Sequence, residues 1–336
     1  MKRTEFPDYL ELFFSQYVFL QRGLSANTVS SYSDGFLLFF RYCDEIKGIK
    51  PNKLTFRLIN KRLITDFCDW IEVEHGSSTA TRNQRLTAIH AFFRYIQYES
   101  PEHVALSRDI LSIRMKKCRQ APPKYLSTEA VKAILASPDS NTINGIRDLA
   151  VLCLLYDSAM RVQELIDLKI GDITLGKPAV IRVTGKGNKI RSIPILPETT
   201  NILSIYIKKY SLSDCGNQLF TNRSGNKLTR VGISYILNKY VRSIKIESPN
   251  LIPITVTPHI MRHSKASHLL SAGVNLIYIR DLLGHSSVTT TEIYATANPE
   301  FLRQAIEKSS ENISVDIYYN ETKRKELTEF LKQYRV

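Results

Sequence analysis

Four side chains towards the carboxyl end of the sequence carry the chemistry needed to act on a phosphate ester. His259 and Arg262 are three residues apart, so an imidazole and a guanidinium share one face of a helix. Tyr294 follows His285 by nine residues. Arginine binds phosphate oxygens through a planar fork, histidine transfers protons near neutral pH, and tyrosine can act as a covalent nucleophile. The set predicts chemistry on a phosphate group.

Three short helical segments must position these side chains. Pro258 suits the first turn of a helix, and Gly273 stands where that helix ends. A second apolar segment ends at Gly284, directly before His285. A polar and apolar segment then leads to Tyr294. The pattern predicts helices joined by tight turns, with the four side chains near those turns.

This stretch resembles box II of the tyrosine recombinases, the integrase family that includes the Xer proteins. That box has the form H-x-x-R, then L-G-H, then a tyrosine nine residues after the second histidine, as from His285 to Tyr294. The segments M-R-H-S-K-A-S-H-L-L and I-Y-I-R-D-L-L-G-H are similar to those of transposon-borne and resident integrases in particular.

Two upstream segments extend the resemblance. Arg161 follows an apolar helix over 147–159 after one residue, Met160, and an arginine there is costly unless it is paired or ligand-bound. With Glu164 it is similar to the family's box I, G-x-R-x-x-E-L, although Ala159 stands where the family has glycine. Between two β-like runs, the turn G-K-G-N-K resembles the hairpin that carries the family's catalytic lysine, which matches Lys186.

The resemblance implies a reaction and a role for each residue. Arg161 and Arg262 would stabilise the charge on the non-bridging oxygens, and Tyr294 would attack phosphorus. The product would be a 3′-phosphotyrosyl link and a free 5′-hydroxyl. Since the link keeps the phosphoester energy, rejoining would need no ATP, cofactor or metal.

The remaining residues of the set would transfer protons, bind the phosphate or orient another side chain. A tyrosine with a pKa near 10 is a poor nucleophile at neutral pH, so His259 is expected to accept its proton. Lys186 would protonate the departing 5′-oxygen, and His285 would hydrogen-bond the phosphate. Glu164, three residues after Arg161, would orient its guanidinium.

Each assignment has a structural alternative. His259 and His263 are four residues apart, a spacing that a zinc-binding pair can have, but no H-E-x-x-H pattern accompanies them. His263 and His268 are therefore interpreted as residues that satisfy hydrogen bonds within their helix. In isolation G-K-G-N-K is a common solvated turn, and one tyrosine among 17 is usually a core residue. Six family positions in order favour the catalytic interpretation.

Composition points to a polyanionic partner. The 336 residues include 46 Lys and Arg against 32 Asp and Glu, and the pI is about 9.5. Residues 182–245 hold twelve of these cations and only two acids, which suits a protein that follows a phosphate backbone. The five cysteines are odd in number and form no C-x-x-C pair, so neither a disulfide framework nor a zinc knuckle is expected.

No apolar leader opens the sequence, and no run reaches the roughly 18 apolar residues of a membrane helix. The expectation is a cytoplasmic, nucleoid-associated protein without a membrane partner.

The expected fold class is mainly α with a small antiparallel β-sheet, an α-helical core-binding domain followed by an α+β catalytic domain. Helical spacing over 1–115 predicts a four-helix bundle, in which Ser25 or Asn27 caps the second helix and Thr65 begins the third. Its similarity to the family's core-binding (SAM-like) domain implies DNA binding. A basic, proline-bearing linker over 116–124, a catalytic domain over 125–310 and an amphipathic tail over 311–336 complete the chain.

Several cationic or hydroxyl side chains are candidate contacts to DNA, with a solvated face as the alternative. They are Thr81, Arg82 and Arg85 in the bundle, Lys189 and Arg191 in the hairpin, and Arg230 and Arg242 in a later helix.

The leading functional hypothesis is a site-specific recombinase acting on double-stranded DNA, for integration, excision, transposition or dimer resolution. It would work as a homotetramer joined through the tail, with an accessory recombinase or directionality factor as a further partner.

The size and the Xer-like order argue against a relaxing topoisomerase or a telomere resolvase. A DNA-binding regulator with a spent site is the alternative from another class, and the intact catalytic set argues against it. The lack of clustered carboxylates disfavours a metal-dependent nuclease.

Overall fold

The computed structural model describes residues 6–118, 123–285, 287 and 289–297, together with positions 325, 329 and 332; at 186, 289 and 295–297 it describes the backbone alone. The chain divides into two compact units, Met1–Gln120 and Ala121–Val336. The division falls inside the segment predicted as a linker. Almost all of the predicted tail, 311–336, lies outside the described residues.

The first unit is entirely helical over its described residues. Its α-helices are α1 (Phe6–Leu12), which continues as a π-helix (Phe13–Gln21), α2 (Ala26–Glu45), α3 (Lys61–Val73), α4 (Thr79–Glu99) and α5 (Val104–Leu111). Phe13, Phe39, Phe92 and Phe93 are at most 1% exposed, so these aromatic residues belong to the core of the unit. The helix α5 is a fifth one that the sequence interpretation did not include.

Side-chain caps set the starts of these helices. Ser25, Asn60 and Ser78 each accept a hydrogen bond from a backbone N–H three residues later, which satisfies a donor that the helix itself leaves unpaired. The Asn60 cap starts α3 at Lys61, four residues before the predicted start at Thr65. The prediction was wrong there because Asn60 was not recognised as a cap.

The second unit places helices around a small sheet. Its helices are α6 (Thr128–Ala136), α7 (Ile143–Asp157), α8 (Val162–Asp167), α9 (Pro197–Lys209), α10 (Arg230–Glu247), α11 (Pro258–Ser271), α12 (Leu276–Leu283) and α13 (Thr289–Ala297). The strands are β1 (Ile173–Thr174), β2 (Val180–Thr184) and β3 (Ile190–Pro194). The sheet is antiparallel in the order β1-β2-β3, so the expected fold class is confirmed.

The hairpin and the buried helix α7 bring the functional segments together. In the hairpin, Val180 pairs with Pro194 and Thr184 with Ile190, and the residues between the strands turn through a 3₁₀ segment, Lys186–Asn188. Helix α7 packs against both α9 and α11, and most of its side chains are buried. Its carboxyl end therefore delivers box I beside the helix that carries His259 and Arg262.

Candidate active site

Arg161 stands immediately before α8 and is held by Glu164. The Arg161 backbone N–H donates to Oε2 of Glu164 at 2.7 Å, and its guanidinium donates to Oε1 at 2.9 Å. The same guanidinium donates to the Gly284 carbonyl at 3.2 Å. Glu164 thus fixes both the backbone and the side chain of Arg161, while 36% of that side chain stays exposed and can meet a ligand.

Arg262 lies on α11 and is 2% exposed. It donates to the carbonyls of Ala159 at 2.7 Å and Leu283 at 2.6 Å, and to Nε2 of His285 at 3.0 Å. These acceptors compensate for the cost of burying the charge. Burial and the neighbouring Arg161 lower the pKa of Arg262 to about 10, so the guanidinium stays protonated at neutral pH.

The two arginines meet at the end of α12. Arg161 donates to the carbonyl of Gly284 and Arg262 to that of Leu283. Gly284 ends the helix in the left-handed conformation, with φ of +62°, and so directs these neighbouring carbonyls at the guanidinium groups. Segments more than 100 residues apart in sequence therefore share one site.

Ala159 occupies a strained position in box I. Its φ is +48°, a region that residues with a Cβ rarely adopt, and the related pattern has glycine there. The side chain is fully buried, and the carbonyl accepts the hydrogen bond from Arg262. The left-handed turn is thus kept although the residue is alanine.

His285 is fixed in one tautomer by its two neighbours. Arginine can only donate, so Nε2 of His285 accepts from Arg262 at 3.0 Å and the ring proton resides on Nδ1. Nδ1 then donates to Oγ1 of Thr291 at 3.1 Å. Burial, together with the positive charges of Arg262 and Arg161, lowers the pKa of His285 to about 4, so the ring is neutral at pH 7.

Tyr294 is buried, with 1% of its surface exposed. Its hydroxyl makes a hydrogen bond of 2.7 Å with Nδ1 of His263. Burial raises the pKa of Tyr294, and the charge of Arg262 partly opposes this. The phenol is therefore protonated and enclosed beside Arg262.

The Tyr294 hydroxyl is hydrogen-bonded to His263, whereas the sequence pattern predicted that His259 would accept its proton. The interpretation that His263 bonds within its own helix is wrong, because Nδ1 reaches α13. The His259 ring lies 4.9 Å from that of His263, centre to centre.

Burial and the neighbouring His259 lower the pKa of His263 to about 4, and burial with Arg262 lowers the pKa of His259. Both rings are neutral and able to accept a proton at pH 7. His259 and His263 are four residues apart, and this spacing could have predicted that both rings lie on the same face of α11.

His268 also bonds outside its helix. Nδ1 of His268 lies 2.8 Å from the Tyr156 hydroxyl, and Nε2 lies 2.9 Å from the Leu126 carbonyl. The ring ties α11 to α7 and to the segment before α6, so its interpretation as a helix-internal partner is also wrong.

The hairpin carries Lys186 at its tip and Arg191 on β3. Lys186 begins the 3₁₀ turn at the hairpin tip. Arg191 donates to Oε1 and Oε2 of Glu164 at 3.1 and 2.8 Å and to the Leu282 carbonyl at 3.1 Å. Burial alone would raise the pKa of Glu164, but hydrogen bonds from Arg191 and Arg161 outweigh it and hold that pKa below the usual value.

The other predicted DNA contacts differ in exposure. Arg82 is 3% exposed and donates to the Arg114 carbonyl at 3.3 Å. Arg85 donates to the Ser31 carbonyl at 3.1 Å and keeps 20% of its side chain exposed. Lys189 on the hairpin and Arg230 and Arg242 on α10 are exposed, whereas Thr81 is half-buried.

Within the described part of the chain, no group of three or more histidine, cysteine or carboxylate side chains is arranged to hold a metal ion. Nor is any described helix long and apolar enough to cross a membrane.

Comparison with known proteins gives this arrangement a family. Residues 124–300 match the phage integrase family, and residues 11–99 match the phage integrase N-terminal SAM-like domain. The chain belongs to the phage integrase family. The resemblance inferred from box I and box II is thereby confirmed.

Named integrase relatives cover most of the chain. A putative integrase/recombinase, y4rC, of Sinorhizobium fredii is 38% identical over 92% of this chain and 93% of its own. Tyrosine recombinase XerD of Listeria monocytogenes is 34% identical over 84% of this chain and 91% of its own.

Solved integrase structures share the fold. The Tn1549 transposon integrase in complex with transposon right end DNA is similar with a TM-score of 0.69 and 18% identity, over 88% of this chain and 98% of that one. XerH recombinase in a post-cleavage complex with its difH substrate has a TM-score of 0.66 and 23% identity, over 85% of this chain and 81% of that one.

Proposed function

We propose that this integrase-family protein is a site-specific recombinase that breaks and rejoins DNA strands through a phosphotyrosyl intermediate on Tyr294. The observation that carries the proposal is the convergence of Arg161 and Arg262 on the end of α12, beside His285 and close enough to Tyr294 for Arg262 to affect its pKa. A phosphodiester at the exposed face of Arg161 would meet that guanidinium directly, with the buried charge of Arg262 and the His285 ring behind it.

The cleavage step replaces one phosphoester bond by another, and each proton that moves has a donor and an acceptor. The Tyr294 oxygen attacks phosphorus and forms a P–O bond, while the bond from phosphorus to the 5′-oxygen breaks. A neutral histidine takes the phenolic proton; His263 contacts that oxygen in the resting position, and the His259 ring lies beside that of His263. Lys186 gives a proton to the leaving 5′-oxygen. The arginines stabilise the negative charge that builds up on the non-bridging oxygens.

Rejoining is the reverse reaction with a different strand. The 5′-hydroxyl of a partner strand attacks the phosphotyrosyl link and releases Tyr294, so the link's energy is conserved and neither ATP nor a metal ion is consumed. The polarity, a 3′-phosphotyrosyl link with a free 5′-hydroxyl, follows the family.

Tyr294 must leave its resting position before this reaction. With 1% of its surface exposed, the phenol cannot reach a phosphate in a duplex. Breaking its hydrogen bond to His263 is therefore part of activation, and DNA binding is the event that would supply the free energy.

The partners follow from the reaction. Strand exchange requires two duplexes carrying specific sites and four protomers, with an accessory recombinase or directionality factor as a further partner. The tail expected to join the protomers lies almost wholly outside the described residues. Truncation after Ser309 should weaken assembly on DNA more than binding to a single site.

A nicked suicide substrate tests the proposal. The substrate carries the protein's footprinted site, with a nick placed so that the released end diffuses away and rejoining fails. Wild-type protein should form a covalent adduct in the presence of EDTA, whereas Tyr294→Phe should form none and bind the same DNA equally. Binding by wild type without an adduct would instead identify a DNA-binding regulator.

A further inference from the structure

The guanidinium of Arg191 donates to groups of the protein through each of its three nitrogen atoms. Its fork donates to both oxygens of Glu164, and its Nε donates to the Leu282 carbonyl. Only 15% of its side chain is exposed, against 5% for that of Glu164. A two-bond arginine–carboxylate pair fixes the relative orientation of its partners as well as their distance.

The pair of Arg191 and Glu164 joins three separate segments. Through Glu164 it reaches Arg161 of box I. Through the Leu282 carbonyl it reaches the end of α12, where both catalytic arginines also donate. Arg191 itself belongs to β3, so it ties the hairpin to these segments.

Two glycines allow the backbone to approach this pair closely. A Cβ at Gly185 would lie 3.3 Å from the Arg191 guanidinium and 3.3 Å from Oε1 of Glu164. A Cβ at Gly284 would lie 2.8 Å from the same guanidinium. Gly185 immediately precedes Lys186, so the ion pair packs against the backbone next to the proposed general acid.

We propose that Arg191 is a positioning residue: its ion pair with Glu164 holds the hairpin that carries Lys186 in a fixed position relative to Arg161. This inference rests on the proposed function and replaces the expectation that Arg191 contacts the DNA backbone. Removal of Arg191 leaves the Glu164 carboxylate with Arg161 alone and frees the hairpin from α12. A displacement of about 1 Å at a catalytic group can cost on the order of 100-fold in rate.

The first test separates positioning from DNA contact. The Arg191→Gln variant should lower single-turnover cleavage of the suicide substrate at saturating DNA by on the order of 100-fold, while the DNA dissociation constant stays within about twofold of wild type. Arg182→Gln is the matched control, since Arg182 lies on β2 of the same sheet but 62% of its side chain is exposed in its pair with Asp172. A surface pair of this kind contributes little, so cleavage by the control should equal wild type.

The second test asks whether the defect lies with the leaving group. A substrate with sulfur in place of the bridging 5′-oxygen releases a thiolate, which needs no proton from Lys186. Lys186→Ala and Arg191→Gln should both regain at least about tenfold in cleavage on this substrate relative to the oxygen substrate, whereas Arg161→Ala should not. Failure to rescue Arg191→Gln, or a defect confined to DNA affinity, would overturn the proposal.

The outcomes also separate this proposal from the function on which it rests. If wild-type protein forms no adduct on either substrate, the proposed function fails. If wild type cleaves and Arg191→Gln cleaves equally well, only the positioning role fails. Should thermal unfolding show that Arg191→Gln is not folded, Arg191→Lys takes its place, because lysine keeps the charge but lacks the fork; the same pattern is expected of it.

Discussion

The hydroxyl of Tyr294 and Nδ1 of His263 lie 2.7 Å apart, and the tyrosine is almost completely shielded from solvent. The proposed nucleophile is therefore stored against a neutral acceptor while no substrate is bound. The contact stabilises the resting position of Tyr294, and it must break before the phenol can reach a phosphate.

A double-mutant cycle should measure this contact. Tyr294→Phe and His263→Ala each remove one side of the hydrogen bond, and the free energies of unfolding of both single variants and the double variant should give a coupling of about 1 kcal/mol. His263→Asn, which keeps an acceptor near the Nδ1 position, should lose less stability than His263→Ala. Additive losses would show that the two side chains do not interact.

Stability should fall as the pH is lowered from about 6.5 to about 4. In the unfolded chain a histidine has a pKa near 6.5, whereas in the folded protein the pKa of His263 and of His285 is about 4. Between these values the unfolded chain binds more protons, so the free energy of unfolding decreases with decreasing pH.

Urea unfolding across this pH range measures the effect. In His263→Asn one of these groups is absent, so the dependence should be shallower than in wild type. Other histidines with lowered pKa, such as His90 and His268, are present in both proteins and cancel in the comparison. Identical slopes would contradict the lowered pKa of His263.

Gly284→Ala should damage both stability and cleavage. Alanine at φ of +62° is strained by about 1–2 kcal/mol, and its Cβ would also lie 2.8 Å from the Arg191 guanidinium. Gly273→Ala is the matched control, because Gly273 has a φ of +81° but no atom within 4 Å of the added Cβ. Calorimetry should show a smaller loss for Gly273→Ala, with cleavage retained. Equal losses would mean that backbone strain alone matters at Gly284.

Arg242 should contribute to DNA affinity without selecting the sequence. It is exposed on α10, close to Tyr235 and Lys239 along the same shallow groove. Arg242→Gln should weaken binding to cognate and unrelated duplexes alike and reduce the slope of log affinity against log salt by about 1. Lys132→Gln removes one exposed charge on α6, outside the basic stretch 182–245, and its salt slope should match wild type. A loss restricted to cognate DNA would indicate base recognition instead.

Local patterns were sufficient for much of the fold. The two β-like runs around G-K-G-N-K predicted the hairpin that β2 and β3 form, and helical spacing predicted the bundle of the first unit. The start of α3 was missed because Asn60, not Thr65, accepts the capping hydrogen bond. Propensity ranks both residues as acceptable caps, so the choice depends on where the preceding loop leaves the chain.

Partner choice within the site was beyond the sequence. His259 and His263 share one helix face, and only the packing of α13 decides which ring meets Tyr294. Arg191 is a cation in a basic hairpin, so charge alone suggests a phosphate contact. Its carboxylate partner, Glu164, lies 27 residues away in sequence, and the close approach that unites them depends on the glycines at 185 and 284.

The most direct measurement of the central claim is the identity of the residue joined to DNA. Wild-type protein is trapped on the suicide substrate in EDTA, digested with protease and nuclease, and the nucleotide-bearing peptide is sequenced by mass spectrometry. The account predicts a single modified peptide with the phosphate on Tyr294. A phosphate on Tyr278, the exposed tyrosine of α12, or on any other residue would contradict it.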